Sequence, residues 1–397
     1  MTRPLRWLTC APRDYRGDEA YFSRDTGLLC RGLQDAGAEC RAILAGARRA
    51  EDDPDLIRAR AADMADPDWW RALGADAVVV HTWSREEHTG ILRAVRTAGL
   101  RVVLLQDGTG VTGPLGTWGD WVRESWYFRN RHGGRLMGTA WFAARMIHGH
   151  TLRLAGFERS RARQFELADL IVVPSPRALE GYRKLARSLG GNLESKLRLL
   201  PHPVAPWFGS HTGTPKENLI VSVGRWTDHW QKRPDLLAAS LAECLRRHPA
   251  WKAEIFGGPG EELSRWHQAL DSSLRSRIEL AGIVPNRELA GPMGRAKISL
   301  CSSAYESFHI ASGEALCSGC SVVGVDSAMT PSLSWFTDTQ SGTLSDSLDA
   351  VGLAAALNKE ISAWESGKRD PDAISHRWRG RLHAREVARA LIEMASC

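Results

Sequence analysis

The chain has 397 residues, 43% of them hydrophobic and 25% charged, with a formal net charge of +6 at pH 7. That is long enough for two domains of ordinary size, each able to bury its own core, and the proportions are those of a globular protein. No apolar run approaches the roughly 18 residues that cross a bilayer, and the opening MTRPLRWLTCAPRD lacks the apolar core of a secretory signal, so a cytosolic protein is expected.

Strand-like and helix-like patterns alternate along the chain. Residues 5–10, 42–44, 77–81, 102–105, 170–174 and 197–200 read as strands of a first half, with helical patterns such as 26–34 and 89–97 between them. The second half repeats the style, with strands at 219–223, 252–256, 278–280, 298–301 and 321–325 and helices at 234–247, 261–270 and 310–318. Alternating βα units predict α/β architecture, with a parallel sheet in each half and helices on both faces. Pro203, Pro206 and Pro215 with Gly209 and Gly213 make 202–218 a loop-like joint, so domains are expected over 1–205 and 206–373. Residues 374–394 read as one amphipathic terminal helix within a separate tail, 374–397.

Residues 113–163 stand apart. They carry nine arginines against three acidic residues, interleaved with Trp118, Trp121, Trp126, Tyr127, Phe128, Trp141 and Phe142, and their balance of +6 equals that of the whole chain. Three readings stay open: contact with an anionic membrane, arginine forks on a phosphorylated acceptor, or a helical lid with buried aromatics and a solvated basic face. No recognisable nucleic-acid-binding motif accompanies the charge. The eight cysteines are scattered and expected to be reduced; Cys317-x-x-Cys320 lacks the second pair of a zinc site and reads as buried small side chains.

The most informative stretch follows the apolar residues 296–301. A polar turn, 302–307, carries Glu306, and the helix after it carries Glu314 eight positions on. In an open parallel sheet, ligands sit beyond the carboxyl ends of the strands, where helix N-termini expose N–H groups that suit phosphate. Glu306 would then reach the reacting part of a ligand, and Glu314 would hold a ribose through its two hydroxyls.

Glu306-x7-Glu314, with Phe308 and Gly319, resembles the donor-sugar motif of glycosyltransferase family 4. Five further segments are similar in order: ELADLIVVPS at 166–175, LLPHPVAPWF at 199–208, VSVGRWTDHWQK at 221–232, AEIFGGPG at 253–260 and the block 277–301. The resemblance spans about residues 160 to 340. It implies a GT-B fold, two facing Rossmann-like domains with a cleft between them, the first for the acceptor and the second for the donor. It also implies a retaining glycosyltransferase that moves a hexose from a nucleotide diphosphate sugar to a hydroxyl acceptor on a glycan, glycolipid or small molecule, with no metal required. The terminal helix is implied to cross back onto the first domain, and peripheral contact with the inner face of a membrane stays an open alternative.

The implied donor-binding set is Gly224, Arg225, Lys232, Gly257, Glu306, Phe308, His309, Ile310, Ala311 and Glu314. Arg225 and Lys232 would stabilise the leaving diphosphate, the N–H groups of His309, Ile310 and Ala311 would complete the phosphate cradle, Glu306 would contact the hexose, and Glu314 the ribose. No residue is cast as an enzymic nucleophile. The chain departs from the family pattern at Gln106 and Trp83, where histidines are frequent. Asp107 reads either as an acceptor base at a strand end or as a turn residue before Gly108; His81 reads as strand-end packing. Arg13, Asp14 and Asp25 are candidates for the acceptor side, with helix capping by Asp25 or Thr26 an equal reading. Two rivals remain: a sugar-nucleotide epimerase or glycan phosphorylase of the same fold, and a degenerate protein that binds a sugar nucleotide without turning it over.

Overall fold

The computed structural model describes residues 4–13, 18–82, 86–108, 122, 126, 129, 134–148, 154–210, 213–258 and 260–396. Asp14, Trp83, Trp118, Trp121, Tyr127, Phe128 and Arg131 lie outside the described residues. The chain divides into two compact units, Met1–Pro203 with Ala384–Cys397, and Val204–His383.

Unit 1 holds β1 (Trp7–Ala11), β2 (Cys40–Ala45), β3 (Leu56–Ala59), β4 (Ala77–His81), β5 (Arg101–Leu105), β6 (Leu170–Val173) and β7 (Leu197–Leu199). They form one sheet in the order β3-β2-β1-β4-β5-β6-β7, with every pair parallel. Such strands are buried on both faces and so read as continuous apolar runs. The side-chain period of two sorts them: Val78, Val80, Val102 and Leu104 join one core with Leu92, Val95, Phe165 and Tyr182. Val79, Val103 and Val172 join the opposite core with Leu29, Leu33, Val387 and Leu391. Burying each such aliphatic side chain contributes about 1.5–3 kcal/mol.

Unit 2 holds β8 (Glu217–Val223), β9 (Lys252–Phe256), β10 (Ile278–Gly282), β11 (Ala296–Leu300), β12 (Ser321–Val325) and β13 (Gly342–Ser345). Their order is β10-β9-β8-β11-β12-β13, again parallel throughout. Both units are therefore α/β, as read from the sequence.

Two strands escape the sequence reading. β3 is four residues with a charge inside it, and its Arg58 is buried against Asp52 at 3.0 Å. β13 reads GTLS, a turn-like composition, yet Thr343 donates to buried Glu360 at 2.7 Å, and Arg369 pairs with the same carboxylate. In both cases charged or polar groups that local pattern assigns to solvent are satisfied inside the fold, by a partner six residues away for Arg58 and 17 residues away for Thr343.

The single terminal helix expected over 374–394 is two helices, Pro371–Leu382 and Ala384–Ser396. The first starts at Asp370, whose carboxylate accepts from the N–H groups of Asp372 and Ala373, each at 3.0 Å. The break is extended backbone at His383, which bridges Val204 and whose Nε2 lies 2.8 Å from the Phe208 carbonyl. The second helix belongs to unit 1 and packs on Asp25–Asp35, where Gly32 allows the approach: a Cβ there would lie 2.3 Å from the Ala384 carbonyl oxygen.

Among the described residues no helix is long and apolar enough to cross a membrane. Cys317 and Cys320 are free and buried, and the Cys320 thiol points at the carbonyls of Met293 and Ala296, 3.1 and 3.2 Å away.

Candidate functional site

In each sheet the strand order reverses once, between β1 and β4 in unit 1 and between β8 and β11 in unit 2. The loops leaving the carboxyl ends of strands at such a reversal diverge and leave room for a ligand. In unit 2 the residues after β8 are Gly224 and Arg225, and those after β11 run from Cys301 to His309.

Asp228 caps the short helix His229–Lys232 by accepting from the Gln231 N–H at 3.1 Å. Arg233 then takes a left-handed conformation, φ +50°, which turns the chain into the helix Pro234–Arg247. Three hydrogen bonds tie this segment to the loop after β11: Ser302 Oγ to the Lys232 carbonyl at 2.7 Å, Ala304 N to the Gln231 carbonyl at 2.8 Å, and Gln231 Nε2 to the Tyr305 carbonyl at 3.3 Å. Glu306 N in turn donates to the Met329 carbonyl at 2.8 Å. The frame brings the Lys232 ammonium and the Glu306 carboxylate, both nearly buried, into a direct ion pair. Burial alone would raise the Glu306 carboxyl; the Lys232 charge, then His309 and hydrogen bonds from Lys232 and Ser303, outweigh it and hold the group below the usual carboxylate range. Arg225 is exposed at the mouth, its Nη2 3.2 Å from Gln231 Oε1.

The helix Ile310–Cys317 starts beside this pair. The N–H groups of Ile310 and Ala311, in its first turn, have no intrahelical acceptor by geometry. His309 N instead donates to Ser332 Oγ at 3.3 Å, so it is engaged within the fold. The His309 imidazole is pushed down to about 4, chiefly by burial, and its Nδ1 sits 2.7 Å from Ser312 Oγ. The Phe308 ring is buried edge-on against Phe336, 5.1 Å between centroids, and so anchors the loop from the core side. Glu314 is buried one turn further along and accepts from Asn286 Nδ2 at 2.8 Å; Asn286 Oδ1 accepts from Trp207 Nε1 at 3.2 Å. Asn286 lies in the block similar to the family, but nothing in its own residue type marked it as the partner of Glu314.

Gly257 follows β9 with φ +108°, and a Cβ there would lie 1.9 Å from the carbonyl oxygen of Gly224. The two glycine turns touch, so Gly257 sets the path of the Gly224–Arg225 backbone. Gly257→Ala is expected to lose at least about 2 kcal/mol of unfolding free energy; a urea midpoint equal to that of wild type would contradict this contact.

In unit 1, His81 ends β4 and Asp107 follows β5 by two residues. Asp107 Oδ2 lies 3.8 Å from His81 Nε2, and its Oδ1 lies 3.7 Å from His202 Nε2. The two imidazoles are buried, whereas the Asp107 side chain is 28% exposed. Burial pushes His81 down to about 4 against the charges of Asp107 and Asp25, with His202 and Arg13 lowering it further. Burial also acts downward on His202, but the hydrogen bond and charge of Asp107 and the charge of Asp25 outweigh it and hold that imidazole above its usual value, with Arg24 opposing. His81 is buried at the strand end, as the sequence reads it, with the Asp107 carboxylate beside it. His202 went unsuspected in the sequence, although its place just after β7 puts it at the same edge of the sheet. Gln106 is fully buried, accepting from the Tyr182 hydroxyl at 3.4 Å. Asp25 is nearly buried at the start of its helix in a left-handed conformation, φ +50°, and Arg13 is exposed just after β1.

Residues 217–362, all in unit 2, match the family described as Glycosyl transferases group 1. No curated protein matches the chain. Solved structures do. HepE from Anabaena in complex with UDP is 12% identical over 99% of this chain and 100% of that one, with a TM-score of 0.64. Sucrose-phosphate synthase from Thermosynechococcus elongatus is 17% identical over 98% of both chains, also at 0.64. A point mutant of S. aureus TarM, in complex with fondaparinux, alpha-GlcNAc-glycerol and UDP, is 8% identical over 99% and 100%, at 0.65. Residues 217–362 are thus similar to the Glycosyl transferases group 1 family, and the chain has the GT-B fold of solved glycosyltransferases.

Proposed function

We propose that this protein is a retaining glycosyltransferase that moves a hexose from a nucleoside diphosphate sugar to a hydroxyl acceptor. The observation that carries the reading is the Lys232–Glu306 pair beside the N-terminus of Ile310–Cys317, at the strand reversal of the segment that matches the glycosyltransferase family. It is supported by similar folds solved with UDP and with UDP-glucose.

Breaking a glycosidic bond to a diphosphate leaves negative charge on the departing group while an oxocarbenium-like centre forms, so fixed cations and N–H dipoles accelerate the step. An ammonium has three donors, so Lys232 can hold Glu306 with one and a phosphate oxygen with another. Arg225 and the N–H groups of Ile310 and Ala311 complete the cradle, with Gly224 and Gly257 setting the backbone path. Glu306 contacts the hexose, and Glu314, steadied by Asn286, accepts from the two ribose hydroxyls. On the acceptor side, Asp107 takes the proton of the attacking hydroxyl. No step in this scheme requires a metal.

Incubation with a panel of nucleotide sugars tests the reading. Transfer or slow donor hydrolysis, with the product anomer read by NMR, supports it; an isomerised donor indicates an epimerase, phosphate-dependent glycan cleavage a phosphorylase, and binding without turnover a degenerate protein. For the ribose role, Glu314→Gln should weaken the free nucleoside diphosphate roughly tenfold, since one charge-assisted acceptor becomes a neutral amide. Calorimetry giving the wild-type affinity would remove Glu314 from the site.

A further inference from the structure

The helix Arg135–His148 in unit 1 is apolar on two sides. Gly138, Trp141, Phe142 and Met146 are buried or half-buried, as an inward face should be. Yet Leu136, Ala140, Ala143 and Ile147, at the i, i+4, i+7, i+11 spacing of a single stripe, are all exposed. Leu136 is 89% exposed, Ile147 76% and the flanking Met137 66%. An ordinary surface helix carries charged residues along its outer stripe. Of the exposed large hydrophobic residues among the described ones, Trp126, Leu136, Met137 and Ile147 fall within about twenty positions, and the remaining three, Ile283, Leu348 and Val351, are in unit 2.

The charge along this part of the sequence is one-sided. The helix contains no Asp or Glu, and residues 113–163 hold the whole +6 of the chain, leaving the remainder neutral. Trp126, 47% exposed, sits edge-on to Phe142 at 5.1 Å, and the Arg129 guanidinium lies over its ring at 3.8 Å. Exposed aliphatic side chains on an outer stripe, with an exposed tryptophan and Arg129 and Arg135 close by in the chain, match the demands of a bilayer interface: apolar groups enter the acyl boundary, indole rests among headgroups, and arginines face anionic lipid. A free phosphate would use the arginines but has no use for the stripe.

We propose that Arg135–His148 lays its Leu136–Ala140–Ala143–Ile147 stripe on the surface of an anionic lipid bilayer, with Trp126, Arg129 and Arg135 at the headgroup level. The inference is independent of the donor chemistry assigned to unit 2.

Flotation with phosphatidylcholine vesicles, with and without phosphatidylglycerol, tests it on the full chain. Wild type should float with the anionic vesicles at low salt, bind neutral ones far less, and be released as salt shortens the Debye length from about 10 Å at 0.1 M to about 3 Å at 1 M. Arg129→Gln with Arg135→Gln should cut the partition coefficient roughly 30-fold, about fivefold for each basic residue near the surface. Leu136→Gln with Ile147→Gln should abolish vesicle binding yet leave nucleotide affinity and the melting temperature unchanged, because both side chains are exposed. Wild type that fails to float with anionic vesicles, or either double variant floating as well as wild type, overturns the proposal. So does a dimer in sedimentation velocity that Leu136→Gln with Ile147→Gln dissociates, since a second copy would then cover the stripe.

Discussion

Lys232→Ala is expected to lower kcat by roughly a hundredfold or more, because the diphosphate would leave without the nearest fixed cation. The same change strands Glu306, whose burial is then opposed by no paired ammonium. Breaking a nearly buried pair from one side costs about 3 kcal/mol or more, and for a domain of this size the melting temperature should fall by roughly 6–12 °C. The two effects separate. With Lys232 present, the Glu306 carboxyl is held low, and its stabilisation is complete above the unfolded carboxylate value and lost as pH falls through the folded one. Without Lys232, burial raises the carboxyl above its unfolded value, so the stability deficit is largest near pH 7 and should shrink as the pH is lowered toward 4. Lys232→Ala combined with Glu306→Gln removes the stranded charge and should restore most of the melting temperature while leaving kcat low. If turnover recovers along with stability, the lysine is structural and the diphosphate lies elsewhere. Arg225→Ala, at an exposed position, should reduce kcat by a similar factor with no change in melting.

The loop and helix that carry Glu306 and Glu314 were largely legible in the sequence. Glu306 and Glu314 are set by a strand, a polar turn and a helix start, all local features; the helix Ile310–Cys317 stands within a residue of where periodicity puts it, and β11 within two. What could not be read is whatever depends on a partner far along the chain. Asn286 meets Glu314 across 28 positions, and Ser332 takes the His309 N–H across 23. Phe308 belongs to the motif yet spends its ring on Phe336, since sequence spacing does not say which face of a loop turns inward. The break at His383 has the same origin: a bridge to Val204 and a hydrogen bond to Phe208 outweigh a helical pattern that runs straight through. Around Asp107 the signal was weaker still, because an Asp before a Gly is the ordinary chemistry of a turn. Only the convergence of β4, β5 and the residues after β7 at one sheet edge gives Asp107 two imidazoles as neighbours.

Asp107→Asn should therefore lower kcat by about 10²–10⁴, the usual worth of a positioned general base, with nucleotide affinity unchanged because that carboxylate belongs to unit 1. The pH dependence identifies what His202 adds. Its imidazole is held above the usual value against the pull of burial, while His81, pushed down to about 4, stays neutral through the physiological range. The other charged groups that bear on the pair are Asp25, Arg24 and Arg13. With the proton on His202, the charge of Asp107 is compensated and the carboxylate is a poor acceptor for a hydroxyl proton. As pH rises through the His202 value that proton leaves, and Asp107 becomes the stronger base. Wild-type kcat/KM for the acceptor should thus climb with pH through a limb lying above the ordinary imidazole value of about 6.5. His202→Asn keeps a polar side chain at the position but cannot hold the proton, so that limb should vanish and leave a flat profile across the neutral range. His202 acts here as a positioning residue, and a merely structural role would lower the profile at every pH without changing its shape. An unchanged ascending limb in His202→Asn, or near-normal kcat in Asp107→Asn, would move the acceptor base away from this cluster.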